Sequence, residues 1–121
     1  MPTTEFYTSR IIDDVMMVTF RQSHILDAAT IERMSASVKE LVDGAAENRF
    51  IFDFAHVAYL SSNALGMLIS LRKRVVQRRG SMKLAGINDE VMEIFRITKL
   101  DTVFDIYKDA AGAAEAFRKN L

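Results

Sequence analysis

The chain is predicted to be an α/β fold with a mixed sheet of about five strands and about four helices. Three observations carry this expectation. Apolar runs of strand length, such as Phe50-Ile51-Phe52-Asp53-Phe54, alternate with longer segments of helical period. The first two strand-like runs are separated only by Asp13-Asp14, which implies a hairpin, whereas later ones are separated by helical segments and should lie parallel. No linker, internal repeat or low-complexity segment interrupts the pattern, so residues 1–121 are expected to form a single domain.

The elements follow in order. Residues 5–12 read as a first strand, Asp13-Asp14 as a tight turn and residues 15–21 as a second strand. Asp27 opens a helix, because its carboxylate accepts from free N–H groups and suits the positive helix end. Ile31, Met34, Val38, Leu41 and Val42 recur at helical spacing up to Gly44, the expected stop. Residues 50–54 form a buried strand, and a helical pattern runs over residues 65–79, ending at Gly80. Residues 82–87 give another strand; Asn88 or Asp89 then caps a short helix carrying Val91, Met92, Ile94 and Phe95. A last strand over 103–107 and a last helix over 110–121 complete the reading. The single proline, Pro2, punctuates nothing.

Composition excludes several functions. Sixteen basic and sixteen acidic side chains cancel, so no strong field exists to hold nucleic acid. The absence of cysteine removes disulfides, thiolate chemistry and cysteine-ligated zinc together. Half the residues are hydrophobic, yet no apolar run approaches the ~18 residues of a membrane span. The first residues lack the pattern of a secretory signal, so a cytoplasmic location is expected.

The most informative stretch is the turn after the Phe50 strand, where Leu60-Ser61-Ser62-Asn63 leads into the helical pattern. A serine at a helix start sits among unpaired N–H groups at a positive helix end. A plain N-cap, a bound anion and a covalent phosphate all belong at such a place. A nucleophilic serine assisted by His56 and Asp53 does not fit, because a nucleophile elbow needs flanking glycines and the turn offers Leu60 and Ala64. A nucleotide loop does not fit either, since Gly66 is the only glycine nearby and it lies inside the helix. Two distant histidines make no metal site, and Asp13-Asp14 reads as a turn and not as calcium ligands. No catalytic residue, metal or cofactor is expected.

The helix after Ser62 carries a second clue. Leu65, Leu68, Ile69, Val75 and Val76 form the expected core stripe, with Met67 and Leu71 at one edge widening the apolar arc to about 200°. That width suggests an apolar docking rim at Met67 and Leu71, beside Ser62. Arg72 falls within the stripe, its stem packed and its head in water, while Lys73, Arg74, Arg78 and Arg79 are expected on a solvated face.

Together these residues carry a resemblance. Asp53-Phe54-Ala55-His56-Val57 followed by Leu60-Ser61-Ser62-Asn63-Ala64-Leu65-Gly66 resembles the "DLSxV…DSSGLG" segment of the STAS domain, anti-sigma factor antagonist family. Leu26-Asp27-Ala28-Ala29-Thr30 resembles that family's "LDxxTA" element, and residues 100–107 with the alanine-rich helix after them resemble its ending. The resemblance covers nearly the whole chain and implies a single STAS-like domain.

It also implies a switch. In that family the serine matching Ser62 is phosphorylated by a partner that is both anti-sigma factor and serine kinase. The unmodified antagonist sequesters that partner, the phosphorylated form releases it, and a phosphoserine phosphatase restores binding. Asp27, Ser61, Ser62, Asn63, Met67 and Leu71 are the expected partner-binding residues. Two departures bear on this: Ser61 stands where the family has an acid that can contact the kinase or its metal, and Ala64 replaces a glycine, which stiffens the loop. Asn63 also replaces a second Ser/Thr, and Ser61 is the rival acceptor. The alternatives are a non-switching STAS scaffold in a signalling or lipid-transport assembly, and a small-molecule or nucleotide sensor.

Overall fold

The computed structural model describes residues 4–119. Its centre is a five-stranded sheet of β1 (Tyr7–Ile12), β2 (Val15–Phe20), β4 (Arg49–Asp53), β6 (Ser81–Ala85) and β7 (Asp105–Tyr107), in the spatial order β1-β2-β4-β6-β7. β1 and β2 are antiparallel, and every later pair is parallel. The hairpin closes through Asp13 and Asp14, both at positive φ (52° and 65°), as a two-residue turn matched to strand twist requires. A second, two-stranded parallel ladder pairs β3 (His24–Ile25) with β5 (Tyr59–Leu60).

Helices cover both faces of the sheet. Strand alternation sends Met16, Val18, Phe20, Phe50 and Phe52 to one side, where they meet α1 (Ala28–Gly44), α2 (Ser62–Gln77) and α3 (Asp89–Ile97) in the larger core. Val15, Met17, Ile51 and Ala85 face the other side and pack against Ala113 and Phe117 of α4 (Ala110–Lys119). Both faces being covered explains why β4 reads as an unbroken apolar run.

Several boundaries differ from expectation for identifiable reasons. α1 ends at Gly44, the expected stop, though without the positive φ of a left-handed glycine terminator. α2 begins at Ser62 and not at Leu65, because its first two residues, Ser62 and Asn63, are polar and exposed and hide the start of the apolar period. Its end is a Schellman-type turn in which Gly80 N–H donates to Val75 O (2.8 Å) and Arg79 N–H to Val76 O (2.9 Å), with Arg79 and not glycine at φ 61°. A 3-10 turn, Leu100–Thr102, shortens the last strand. The last two residues of the expected final helix lie outside the described residues.

Candidate functional site

The site grows from the carboxyl ends of β2 and β4, where an open parallel sheet delivers its loops to a common edge. From β2 the chain passes through β3 into α1; from β4 it passes through β5 into α2. The ladder pairs Ile25 with Leu60, so Asp27 and Ser62 each lie two residues past a paired position. Ser61 N–H donates to Ile25 O at 2.9 Å, and Ala58 N–H donates to Ser23 O at 2.7 Å. The N-termini of the two helices are thereby fastened side by side.

Each helix start is capped by one side chain. Asp27 accepts from the amide and hydroxyl of Thr30, both at 2.8 Å. Those two hydrogen bonds, with help from Arg33, hold the Asp27 carboxyl below the ordinary aspartate range, so it is ionised. At α2 the cap is Ser61, whose Oγ accepts from Ala64 N–H at 3.4 Å. Ser62 is the first helical residue and is exposed, as is Asn63. α2 has no acid in its first turn, which leaves its positive end uncompensated by its own side chains. Two serines that sequence alone could not separate thus take different places: one caps, and the other presents its hydroxyl outward.

The third helix steadies this edge. Asn88 caps α3 by accepting from Val91 N–H (2.8 Å), and its amide donates to Ala58 O (2.9 Å). Gly86, at φ 73°, lets β6 approach the turn after β4; a Cβ there would lie 2.7 Å from Asp53 Oδ1 and 3.0 Å from Ala55 N. Asp53 Oδ1 itself accepts from Ala55 N–H at 3.0 Å. The sequence pattern had drawn attention to Asp53 as a possible partner of a reactive serine; its carboxylate is spent on this turn.

The apolar rim expected at Met67 and Leu71 is not on the surface. Both side chains are buried, whereas Ile69 (46% exposed) and Val76 (52%), assigned to the core stripe, face outward. α1 packs along one flank of α2 and recentres the buried stripe on Ala64, Leu68, Leu71 and Val75. Sequence periodicity gave the width of the apolar arc and could not tell which edge a neighbouring helix would cover. Met67 lies on the floor of a groove of about 540 Å³ between the helices, with Ala28, Ile31, Glu32, Lys39 and Asn63 around it. The exposed apolar side chains flanking the helix starts are instead Tyr59, in β5 of the short ladder, and Leu26, directly after β3. Two-residue strands have no period to detect, which is why this pair escaped sequence reasoning.

Arg78 was also misplaced. Its guanidinium donates to Ala45 O (2.7 Å), Glu47 O (3.1 Å) and Asn48 Oδ1 (3.2 Å), clamping the loop after α1. Among the described residues no cluster of three His, Cys, Asp or Glu side chains is placed to hold a metal ion, and no helix is long and apolar enough to cross a membrane.

The family model of the STAS domain matches residues 7–113. BtrV of Bordetella bronchiseptica, named as a candidate anti-sigma factor antagonist, is 27% identical over 108 residues, covering 89% of this chain and 91% of its own. Among solved structures, an anti-sigma factor antagonist from Mycobacterium paratuberculosis superposes with a TM-score of 0.80 at 20% identity, covering 93% of this chain and 92% of that one. The anti-sigma factor antagonist SpoIIAA in its unphosphorylated form gives 0.75 at 13% identity, covering 93% and 96%. SpoIIAA has also been solved phosphorylated, with a TM-score of 0.66 at 11% identity, covering 95% and 99%.

Proposed function

Because the chain belongs to the STAS domain family, we propose that it is an anti-sigma factor antagonist switched by phosphorylation of Ser62. The partner it sequesters is an anti-sigma factor with serine kinase activity, and a phosphoserine phosphatase resets it. The observation that carries this reading is the division of labour at α2: Ser61 supplies the cap, leaving the exposed Ser62 hydroxyl at the positive helix end. A phosphate there adds about −1.5 to −2 charges near pH 7, which free amides and the helix dipole accommodate. The fold survives the modification, and the effect is directed outward.

The partner surface comprises Asp27, Ser61, Ser62 and Asn63, framed by the exposed Leu26 and Tyr59. Leu71 leaves the expected set because it is fully buried, and Met67 contributes only as the floor of the interhelical groove. Phosphate on Ser62 places a strongly hydrated dianion between two apolar contacts and on the same edge as the ionised Asp27. A docking partner must then desolvate that charge, which weakens binding. SpoIIAA, known in unphosphorylated and phosphorylated forms, supports the reading by showing that a fold of this kind accommodates a phosphate. The protein acts through binding, with no catalysis of its own, in the cytoplasm where such kinases work.

The test is phosphorylation by the cognate anti-sigma kinase with ATP, followed by mapping of the modified residue by mass spectrometry. Phosphate on Ser62, lost in Ser62→Ala and accompanied by release of the kinase, is the expected result. Binding of the kinase with no phosphate transferred would favour the scaffold reading, for which the serine at position 61 in place of an acid is the supporting observation.

A further inference from the structure

Away from the Ser62 end, α2 presents a second and chemically different surface. Ile69, Arg72, Lys73 and Val76 follow the spacing i, i+3, i+4, i+7 and therefore form one exposed stripe. Residues 62–79 contain five basic side chains and no acid. Two of the five are engaged internally: Arg74 grips Asp43 through two hydrogen bonds of 2.8 and 2.7 Å, and Arg78 clamps the loop after α1. Arg72 and Lys73 form no ion pair among the described residues. The stripe borders a groove of about 220 Å³ between α2 and the approach to β7, lined by Arg72, Val76, Met82, Val103 and Phe104. Asp105, the acid at that groove, is already paired with Lys83 and does not neutralise Arg72. Exposed branched side chains, Ile69 and Val76 on the helix and Val103 across the groove, flank Arg72 and Lys73.

We propose that this face docks an acidic amphipathic helix of a partner protein, with its carboxylates on Arg72 and Lys73 and its apolar side chains against Ile69, Val76 and Val103. Charge complementarity selects the acid, and the apolar–basic–basic–apolar stripe selects a helix presenting the mirrored pattern. An anionic membrane fits less well. The two cations of the stripe give only a weak electrostatic anchor to a lipid surface, and a planar surface leaves the groove unfilled. Ser62 and Val76 are separated by roughly 21 Å of helix, so the two surfaces can be occupied together.

The test titrates the ¹⁵N-labelled protein with a synthetic helical peptide carrying Leu at i and i+7 and Glu at i+3 and i+4. Amide shifts confined to Ile69, Arg72, Lys73, Val76 and Val103, weakened roughly tenfold or more by Arg72→Glu with Lys73→Glu and by added salt, are expected. Val103→Ser, remote from α2 in sequence, should weaken binding as well. The proposal is overturned if those residues do not shift, if the same peptide with Lys for Glu binds equally, or if phosphatidylglycerol vesicles displace the peptide while perturbing the same amides. Ser62→Ala leaves the titration unchanged, so a failed phosphorylation switch and a failed docking face are told apart.

Discussion

Ser61 and Ile25 are joined by a hydrogen bond of 2.9 Å, from the amide of the residue that caps α2 to the carbonyl of the strand that leads into α1. This bond makes one edge out of two helix starts that are far apart in sequence. It also separates the roles of the adjacent serines, which gives the first prediction.

Ser61→Ala removes the α2 cap and should lower stability by about 0.5–1 kcal/mol, at the low end for caps because the bond to Ala64 N–H is long. Ser62→Ala should change it by less than about 0.5 kcal/mol, as for an exposed residue without a structural role. Ser62→Asp, a carboxylate at a helix start, should be neutral or stabilising by about 0.3–1 kcal/mol. Urea unfolding of the three variants reads this order; a collapse of Ser62→Asp would count against the outward action of a phosphate.

Asp27 links the α1 start to pH. Its carboxyl titrates below the ordinary value of 3.8 because of the Thr30 hydrogen bonds. A depressed folded-state value means its contribution is present above the unfolded value and fades as pH falls through the folded one. The melting temperature should therefore drop on acidification below about pH 4, and Asp27→Asn, which still caps but does not titrate, should flatten that part of the profile. Asp43, lowered by its hydrogen bonds to Arg74, contributes with the same sign and remains in the variant.

Lys83 is 7% exposed in the sheet, paired with Asp105, with its ammonium 4.5 Å from the Phe117 ring centre. Burial opposes its charge, yet the hydrogen bonds to Asp105 and Tyr107 prevail and raise its pKa. Removing one partner is predicted to be asymmetric. Asp105→Ala strands a buried ammonium and should cost about 1–3 kcal/mol, tempered because the Asp105 side chain is half-exposed. Lys83→Met keeps the volume and frees an acid that water can reach, so it should cost less than about 1 kcal/mol. The raised Lys83 value means its contribution is intact below pH 10.5 and is lost above it, so alkaline melting curves of wild type and Lys83→Met should converge.

Gly86→Ala should cost about 1–3 kcal/mol, combining a left-handed backbone with a Cβ driven against Asp53 and the Ala55 backbone. Faster amide exchange at Ala55 and Val57 would show that the damage reaches the loop before β5. An exchange pattern unchanged there would separate the glycine from the site.

Asn88→Asp keeps an acceptor for Val91 N–H but replaces the donor to Ala58 O with a carboxylate. α3 should remain helical by circular dichroism while amides 58–61 exchange faster, and Asn88→Ala should lose both, at about 1–2 kcal/mol.

The strong periods were legible in the sequence. Ile31, Met34, Val38 and Val42 are the buried residues of α1 as their spacing required, and Asp27 and Asn88 cap where short polar side chains precede apolar periods. The hairpin closed by Asp13-Asp14 and the apolar β4 were equally plain. What failed was whatever depended on neighbours distant in sequence. The flank of α2 that α1 would cover decided the fates of Met67 and Ile69, and no local pattern encodes it. The β3–β5 ladder is too short to have a period, so no local pattern joins Asp27 to Ser62; only the family resemblance implied a shared surface, and the ladder supplies its physical cause. Arg78 read as a solvated cation because its partners are the carbonyls of a loop about 30 residues earlier.

The same ladder has a kinetic consequence. Its paired residues, Ile25 and Leu60, are about 35 residues apart, with α1 and β4 between them. Closing so long a loop for two paired residues gains little until the parallel sheet has assembled, so the ladder is expected to form after the rate-limiting step. Substitutions along it should raise the unfolding arm of a chevron plot and leave the folding arm in place. The edge bearing Ser62 is therefore the part of the molecule that can loosen and re-form without undoing the nucleus beneath it.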